Sequence, residues 1–292
     1  MIFTRRLRSL AAALVVLVSA CADRKDDYVE RPVEDLYNEA MDLVDKDEYY
    51  RAAKAFDEVE RQHPYSVWAT KAQMMGAYVL YERNKYDEAV IALDRFIQLH
   101  PGNKDVAYAY YLKGLCYYEQ IVDVARDQKT TEMALRSLQE VSDRFPASSF
   151  ARDAKLKIDL ARDHLAGKEM AVGRYYLNIK HHLAALNRFK TVVEQFQTTT
   201  HVPEALHRMV EIYTILGLDG EAKRTAAVLG HNFPGSDWYE DTYAVVSGTP
   251  RAKKDDGWVD SMKFWKSSDA EPVAVPPPAK RNEGWLDKLK FW

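Results

Sequence analysis

The side chains able to do chemistry in this 292-residue chain are few, and most of them read as structure. Cys21 is the best placed. It closes the run Leu17-Val18-Ser19-Ala20-Cys21, which follows a basic segment (Arg5, Arg6, Arg8) and a nine-residue apolar stretch, Leu10 to Val18. Small residues ahead of a cysteine, behind a basic and then apolar leader, resemble the bacterial lipobox, the alternative being an ordinary signal peptide with a chance cysteine. In that pattern the leader is removed and the thiol takes lipid. The apolar stretch is too short to span a bilayer comfortably. Residues 1–20 are therefore read as a signal peptide, and 21–32 as a polar tether. The only other thiol, Cys116, has no partner for an intramolecular disulfide once Cys21 is lipidated, and it sits in a helical apolar pattern as a small buried hydrophobe.

Other reactive constellations are missing. There is no phosphate-cradling Gly loop, no HExxH and no CxxC. Of the eight histidines, His63 and His100 fall at one repeat position, each just before a proline, and the adjacent His181 and His182 point to different helix faces. The expectation is therefore no catalytic residue, no metal and no cofactor. Formal net charge is -3, falling to -6 when Arg5, Arg6 and Arg8 leave with the leader, so nothing suggests nucleic acid.

What would position side chains for binding is an internal repeat. Displacing Val33–Asn103 by 37 residues brings Ala40 onto Ala77, Ala52 onto Ala89, Phe56 onto Leu93, Pro64 onto Pro101 and Tyr49 onto Tyr86. A small residue, then Ala, a bulky residue and Pro at fixed intervals is the tetratricopeptide pattern of paired antiparallel helices. Helices approach closely only where Ala or Gly removes bulk, and Pro, lacking N–H, cannot continue a helix. A third copy uses Gly114, Ala134, Leu138 and Pro146, with eight extra residues within Ile121–Thr130. Ser148–Leu165 reads as an additional helical stretch. Gly173, Ala185, Phe189 and Val192 start a fourth copy with Gln197 in place of proline, and Val210, Ala222, Ala226 and Pro234 make a fifth. Between Val33 and Thr249 the only prolines are Pro64, Pro101, Pro146, Pro203 and Pro234, all read as repeat boundaries. The expected fold is all-α: a superhelical solenoid of five tetratricopeptide-like helix pairs over 33–247.

Residues 248–292 change character. They contain Pro272 and Pro276 to Pro278 and are expected to be disordered. Within them Gly257-Trp258-Val259-Asp260-Ser261-Met262-Lys263-Phe264-Trp265 recurs 27 residues later as Gly284-Trp285-Leu286-Asp287-Lys288-Leu289-Lys290-Phe291-Trp292, matching at six of nine positions. In helical form Trp258, Met262 and Trp265, or Trp285, Leu289 and Trp292, would share one stripe. Two copies on a Pro-rich spacer suggest bivalent attachment to a partner or a membrane, folding back on the solenoid being the alternative.

Several runs resemble the BamD (YfiO/ComL) family: Ile91 to Pro101, Tyr110-Tyr111-Leu112-Lys113-Gly114-Leu115, Arg144-Phe145-Pro146-Ala147-Ser148, Arg174-Tyr175-Tyr176 and Ala185-Leu186-Asn187-Arg188-Phe189. The resemblance covers about residues 17–235 and excludes the Trp-containing tail. It implies a non-enzymatic lipoprotein scaffold on the periplasmic face of the outer membrane. Such a scaffold binds unfolded β-barrel precursors with its N-terminal half and docks on BamA, among other Bam subunits, with its C-terminal half. A lipoprotein assisting pilus or secretin assembly is the alternative within the same class, and an envelope hydrolase on a helical scaffold is one outside it.

The first helix of each such repeat lines the concave side. Read by repeat position, the first three copies place Tyr37, Met74, Tyr78, Tyr81, Tyr108, Tyr111 and Tyr118 there, with Asp45, Glu82 and Glu119 at the margin. Tyr offers a large apolar face at low rotamer cost and a polar tip, suited to an extended peptide ending in an aromatic residue. The plainer reading is that these residues pack neighbouring repeats. By the resemblance, His63 and Tyr65 fall in a loop tied to substrate recognition, and Arg188 falls in the BamA-facing half. The fork of Arg188 suits a carboxylate across an interface, its alternative being a solvated helix arginine.

Overall fold

The computed structural model describes residues 30–248. Among these residues there are eleven helices and no strand: α1 Val33–Asp45, α2 Tyr49–Gln62, α3 Val67–Glu82, α4 Tyr86–Leu99, α5 Val106–Tyr118, α6 Lys129–Arg144, α7 Ser149–Asn178, α8 His182–Gln195, α9 Val202–Ile215, α10 Asp219–Asn232 and α11 Asp237–Ser247. They form five pairs and a closing helix. From α1 to α10 each helix packs on the next in sequence, and the first helices of the opening pairs also touch one another, α1 on α3, α3 on α5 and α5 on α7.

The repeat spacing has a direct packing cause. A Cβ added to Gly114 would stand 2.7 Å from Leu138 Cδ2, and one on Gly173 would stand 2.6 Å from Phe189 Cε1. Both bulky partners, like Phe56 and Leu93 at the same position of the first two pairs, are fully buried. The small position is therefore where the paired helix inserts its largest side chain.

The turns repeat as well. In the first, second, fourth and fifth pairs a residue with positive φ closes the first helix: Asp47 (58°), Asn84 (58°), Lys180 (61°) and Gly217 (72°). The next residue's N–H then reaches back five residues, as in Glu48 N to Leu43 O at 2.9 Å and Lys85 N to Leu80 O at 2.9 Å, the six-to-one bond of a Schellman end. Tyr49 and Tyr86 explain their recurrence here, since their hydroxyls donate to Asp47 Oδ1 (2.7 Å) and Asn84 Oδ1 (2.8 Å). Between pairs, His63, His100, Phe145, Phe196 and Phe233 all leave the helix with φ between -124° and -134°. Phe196 does so ahead of Gln197, so packing sets this exit and proline only reinforces it. Ser66, Ser148 and Ser236 then accept N–H bonds from Ala69, Ala151 and Tyr239, capping α3, α7 and α11.

Two expectations are corrected. Ser148–Leu165 is not a separate stretch: it is the first half of α7, thirty residues long and continuous with the first helix of the fourth pair. Gly167 does not break it, because there the insertion loop and the α9 approach pack close, with Val124 Cγ1 3.4 Å and His201 Nε2 3.3 Å from an added Cβ. Pro203 is not a boundary residue like the other prolines. It lies in the first turn of α9, where its missing N–H costs no bond. The signal peptide, Cys21 and the tail with its expected disorder lie outside the described residues.

The two kinds of glycine predict opposite responses. An added Cβ on Gly76, inside α3, meets only Phe56 Cβ at 3.8 Å. Gly76→Ala is therefore expected to raise stability by about 0.5–1 kcal/mol through helix propensity. Gly173→Ala forces overpacking against Phe189, costing about 1–3 kcal/mol before that gain. Urea midpoints with unchanged slopes check both, and a shift of the same sign in the two variants would contradict the packing account.

Candidate functional site

The residues read as one peptide-binding channel divide into three groups. Tyr37, Met74, Tyr78 and Tyr108 are buried, at 7%, 3%, 7% and 7% exposure. They are packing between successive pairs. Tyr37 meets Phe56 edge-on at 5.7 Å and Trp68 at 4.9 Å, and burial, then the charge of Asp105, pushes its hydroxyl up to about 12. Tyr108 packs on Phe150 at 5.3 Å, and burial raises its pKa well above the ordinary value.

Tyr81, Tyr111 and Tyr118 are half-buried and come together with residues that the repeat positions did not reveal. The first half of α7 brings Phe150, Asp153 and Lys157, spaced 3 and 4 along one helix face, against α5. Tyr111 stacks on Phe150 at 5.3 Å and 27°, and its hydroxyl donates to Asp153 Oδ2. Burial, then that bond and the Asp153 charge, hold the Tyr111 hydroxyl protonated far above the usual range. Lys157 Nζ lies 4.9 Å over the Tyr118 ring and 3.6 Å from Asp153 Oδ2. Tyr81 donates to Glu119 Oε1 at 3.3 Å. The result is an aromatic wall in which the Tyr81 and Tyr111 hydroxyls are tied to Glu119 and Asp153. The signal for its missing half was the Phe150, Asp153, Lys157 spacing itself, hidden because α7 was read as two pieces.

The third group is elsewhere. His63 caps α2, and its Nε2 donates to the Arg31 carbonyl at 2.8 Å, holding the entering chain. Tyr65, next to it in the boundary loop, is fully exposed. Neither is shown in contact with the wall. Arg188, exposed on α8, reaches Glu169 on α7 at 3.1 Å. Cys21, Trp258, Met262, Trp265, Trp285, Leu289 and Trp292 lie outside the described residues.

The eight-residue insertion is a folded loop. Buried Gln128 donates through Nε2 to the Asp123 and Arg126 carbonyls at 3.2 and 3.1 Å, and accepts from Thr131 at 2.9 Å. Its Oε1 also meets His164 Nδ1 at 3.1 Å, while Lys168 donates to the Ala125 carbonyl at 3.0 Å, so the loop is fastened to the middle of α7. Among the described residues no group of three or more His, Cys, Asp or Glu side chains is placed to hold a metal. Cys116 is buried, and burial pushes its thiol up to about 12, far from a reactive thiolate.

A stacked array of helix pairs carrying an aromatic wall defines an all-helical repeat protein. A family model described as YfiO, outer membrane lipoprotein, matches residues 29–229. The chain belongs to this family. It is 51% identical over 244 residues to the outer membrane protein assembly factor BamD of Caulobacter vibrioides, covering 82% of this chain and 80% of that one. BamD of Rickettsia prowazekii is 46% identical, with 82% and 98% covered, and BamD of Neisseria meningitidis serogroup A is 34% identical, with 78% and 91% covered. Among solved structures, the TPR2AB-domain:pHSP90-complex of yeast Sti1 aligns at 10% identity with a TM-score of 0.41, over 80% of this chain and 86% of that one. These three relatives carry the name of an outer membrane protein assembly factor, not of a pilus or secretin factor.

The division among the tyrosines is measurable. Tyr78→Ala is expected to cost about 3–4 kcal/mol of stability as a buried aromatic truncation. Tyr118→Ala should cost less than half of that. Equal losses in chemical denaturation would mean that the wall is core.

Proposed function

We propose that this chain is a lipid-anchored scaffold for assembling β-barrel proteins into the outer membrane. The observation that carries this reading is its membership of the YfiO family, whose matched relatives are named outer membrane protein assembly factors. The mature protein is held through lipid on Cys21 at the periplasmic face. It takes unfolded barrel precursors against the wall of Tyr81, Tyr111, Tyr118 and Phe150, and docks on BamA through its C-terminal half, with Arg188 at that face. No cofactor is required, because the work is capture and presentation. Half-buried aromatic faces support the first role, since they can cover the alternating apolar side chains of an extended strand at low entropic cost. For the second role, Arg188 among the described residues makes one ion pair, to half-buried Glu169, and pairs near the surface exchange readily. The two Trp motifs add a second attachment to the assembly machine or its membrane.

Tyr81→Ala with Tyr118→Ala should weaken binding of a peptide carrying a barrel's C-terminal strand by about 1–2 kcal/mol per ring. Fluorescence anisotropy reads this, with a denaturation curve as the folding control. Unchanged affinity in the folded double variant would remove the wall from the mechanism. Attachment is read in outer-membrane fractions. Cys21→Ser is expected to release the protein or leave its leader uncleaved, and deleting residues 257–292 is expected to lower co-purification of BamA while sparing the helical signal. Full retention in both would overturn the attachment scheme.

A further inference from the structure

A cavity of about 130 Å³ opens between α2, α3 and α4, with Phe56, Asp57, Glu60, Gly76, Leu80 and Arg95 among its lining. Gly76 leaves it open from the α3 side, where an added Cβ would still have ordinary room. The 37-residue register shows what occupies this place one unit later. Gly76 maps onto Lys113 and Asp57 onto Asp94, while fully buried Phe56 maps onto fully buried Leu93. In that next unit Lys113 Nζ lies 2.6 Å from Asp94 Oδ1, with the lysine side chain only 22% exposed. The same helical frame is therefore closed by an internal lysine in one unit and left open in the other.

The open unit also keeps the acid. Asp57 has no hydrogen bond or ion pair among the described residues that would replace the lysine. Its carboxyl is raised, first by burial and then by the charge of Glu60. Arg95, which would lower it, is already paired with Glu60. Two carboxylates against one guanidinium leave an excess negative charge beside an apolar slot.

We propose that this cavity receives a lysine side chain donated by a protein partner, with its alkyl stem against Phe56, Gly76 and Leu80 and its ammonium on Asp57. A lysine fits better than an arginine because the internal precedent is a compact ammonium on a flexible stem rather than a planar fork. The site lies apart from the aromatic wall and requires nothing of the strand-binding reading. It supplies a second, charge-selective contact.

The test uses the full-length chain in detergent micelles with ¹³C-methyl alanine, because Ala53, Ala72, Ala77 and Ala92 line the cavity. The probe is Nα-acetyl-lysine methylamide, with the uncharged norleucine analogue as control. Saturable shifts of these methyls are expected with the lysine probe in the millimolar range, with at least about tenfold weaker response to norleucine. Asp57→Asn should weaken the lysine response about tenfold (1.4 kcal/mol at 298 K). Gly76→Lys should abolish it by filling the slot from within, and unshifted Ala185 and Ala205 methyls would show that the variant is folded. If it does not fold, Asp57→Asn, a change of the same size at the partly covered mouth of the cavity, carries the test alone. In native membranes a carbodiimide should join Asp57 to a lysine of another chain, and Gly76→Lys should remove that isopeptide. No saturable shift, or an equal norleucine response, would overturn the site. A responsive site with no Asp57–lysine isopeptide in membranes would overturn the protein partner in favour of a free alkylamine.

Discussion

The structure depends on one steric condition: each of the first four helix pairs closes onto a position with almost no side chain, at Ala40, Ala77, Gly114 and Gly173. Where Gly114 faces Leu138 and Gly173 faces Phe189, the space available is less than one methyl group. Inserting a fully buried Leu or Phe there removes roughly 2–3 kcal/mol worth of apolar surface from water per pair. Because this contact fixes how far apart the two helices of a pair stand, it also fixes where the next first helix can lie. The Schellman turns at Asp47, Asn84, Lys180 and Gly217 and the serine caps at Ser66, Ser148 and Ser236 finish a geometry that the packing has already chosen.

The long α7 extends that condition from one pair to the next. At 1.5 Å per residue its thirty residues run about 45 Å. Its first half packs Ala154 and Ile158 with Leu138 and Val141, and its second half packs Ala166 and Met170 with Phe189 and Val192. One continuous helix thus belongs to two cores. The insertion loop is fastened at His164 and Lys168, near the changeover, and Arg174 makes a two-pronged contact with Glu204 on α9 at 2.8 and 2.6 Å. Burial alone would raise the Glu204 carboxyl, but the Arg174 bonds prevail and hold it below its usual range.

Much of this was legible in the sequence, and the gaps have physical causes. The small-to-bulky spacing is a direct imprint of packing, so Ala40, Ala77, Gly114 and Gly173 marked their helices correctly. The loop between α5 and α6 was visible as eight residues that fit no period. The continuity of α7 was not visible, because the repeat spacing starts a new copy at Gly173, whereas the small residue between the halves, Gly167, is explained by the tight approach of Val124 and His201 from distant parts of the chain. The tyrosines were legible as to face but not as to depth. Repeat position says which side of the first helix a residue occupies, while the following pair decides whether it is covered. Tyr78 is covered, and Tyr81, three residues on, is only half so.

That difference in depth bears on how such a wall would recognise anything. Its polar tips are already engaged: Tyr81 with Glu119, Tyr111 with Asp153, and Lys157 with both Asp153 and the Tyr118 ring. A peptide laid across it would meet ring faces of which two, Tyr81 and Tyr111, have hydroxyls that need no new partner. Little hydrogen bonding would have to be exchanged, and contact would be governed by apolar area. Recognition of this kind is tolerant of sequence and sensitive to the spacing of aromatic and aliphatic side chains. An assembly scaffold that must accept many different precursors sharing one strand pattern requires that combination. An extended set of free donors and acceptors would instead bind fewer sequences more selectively, because each mismatch would leave a buried polar group unpaired.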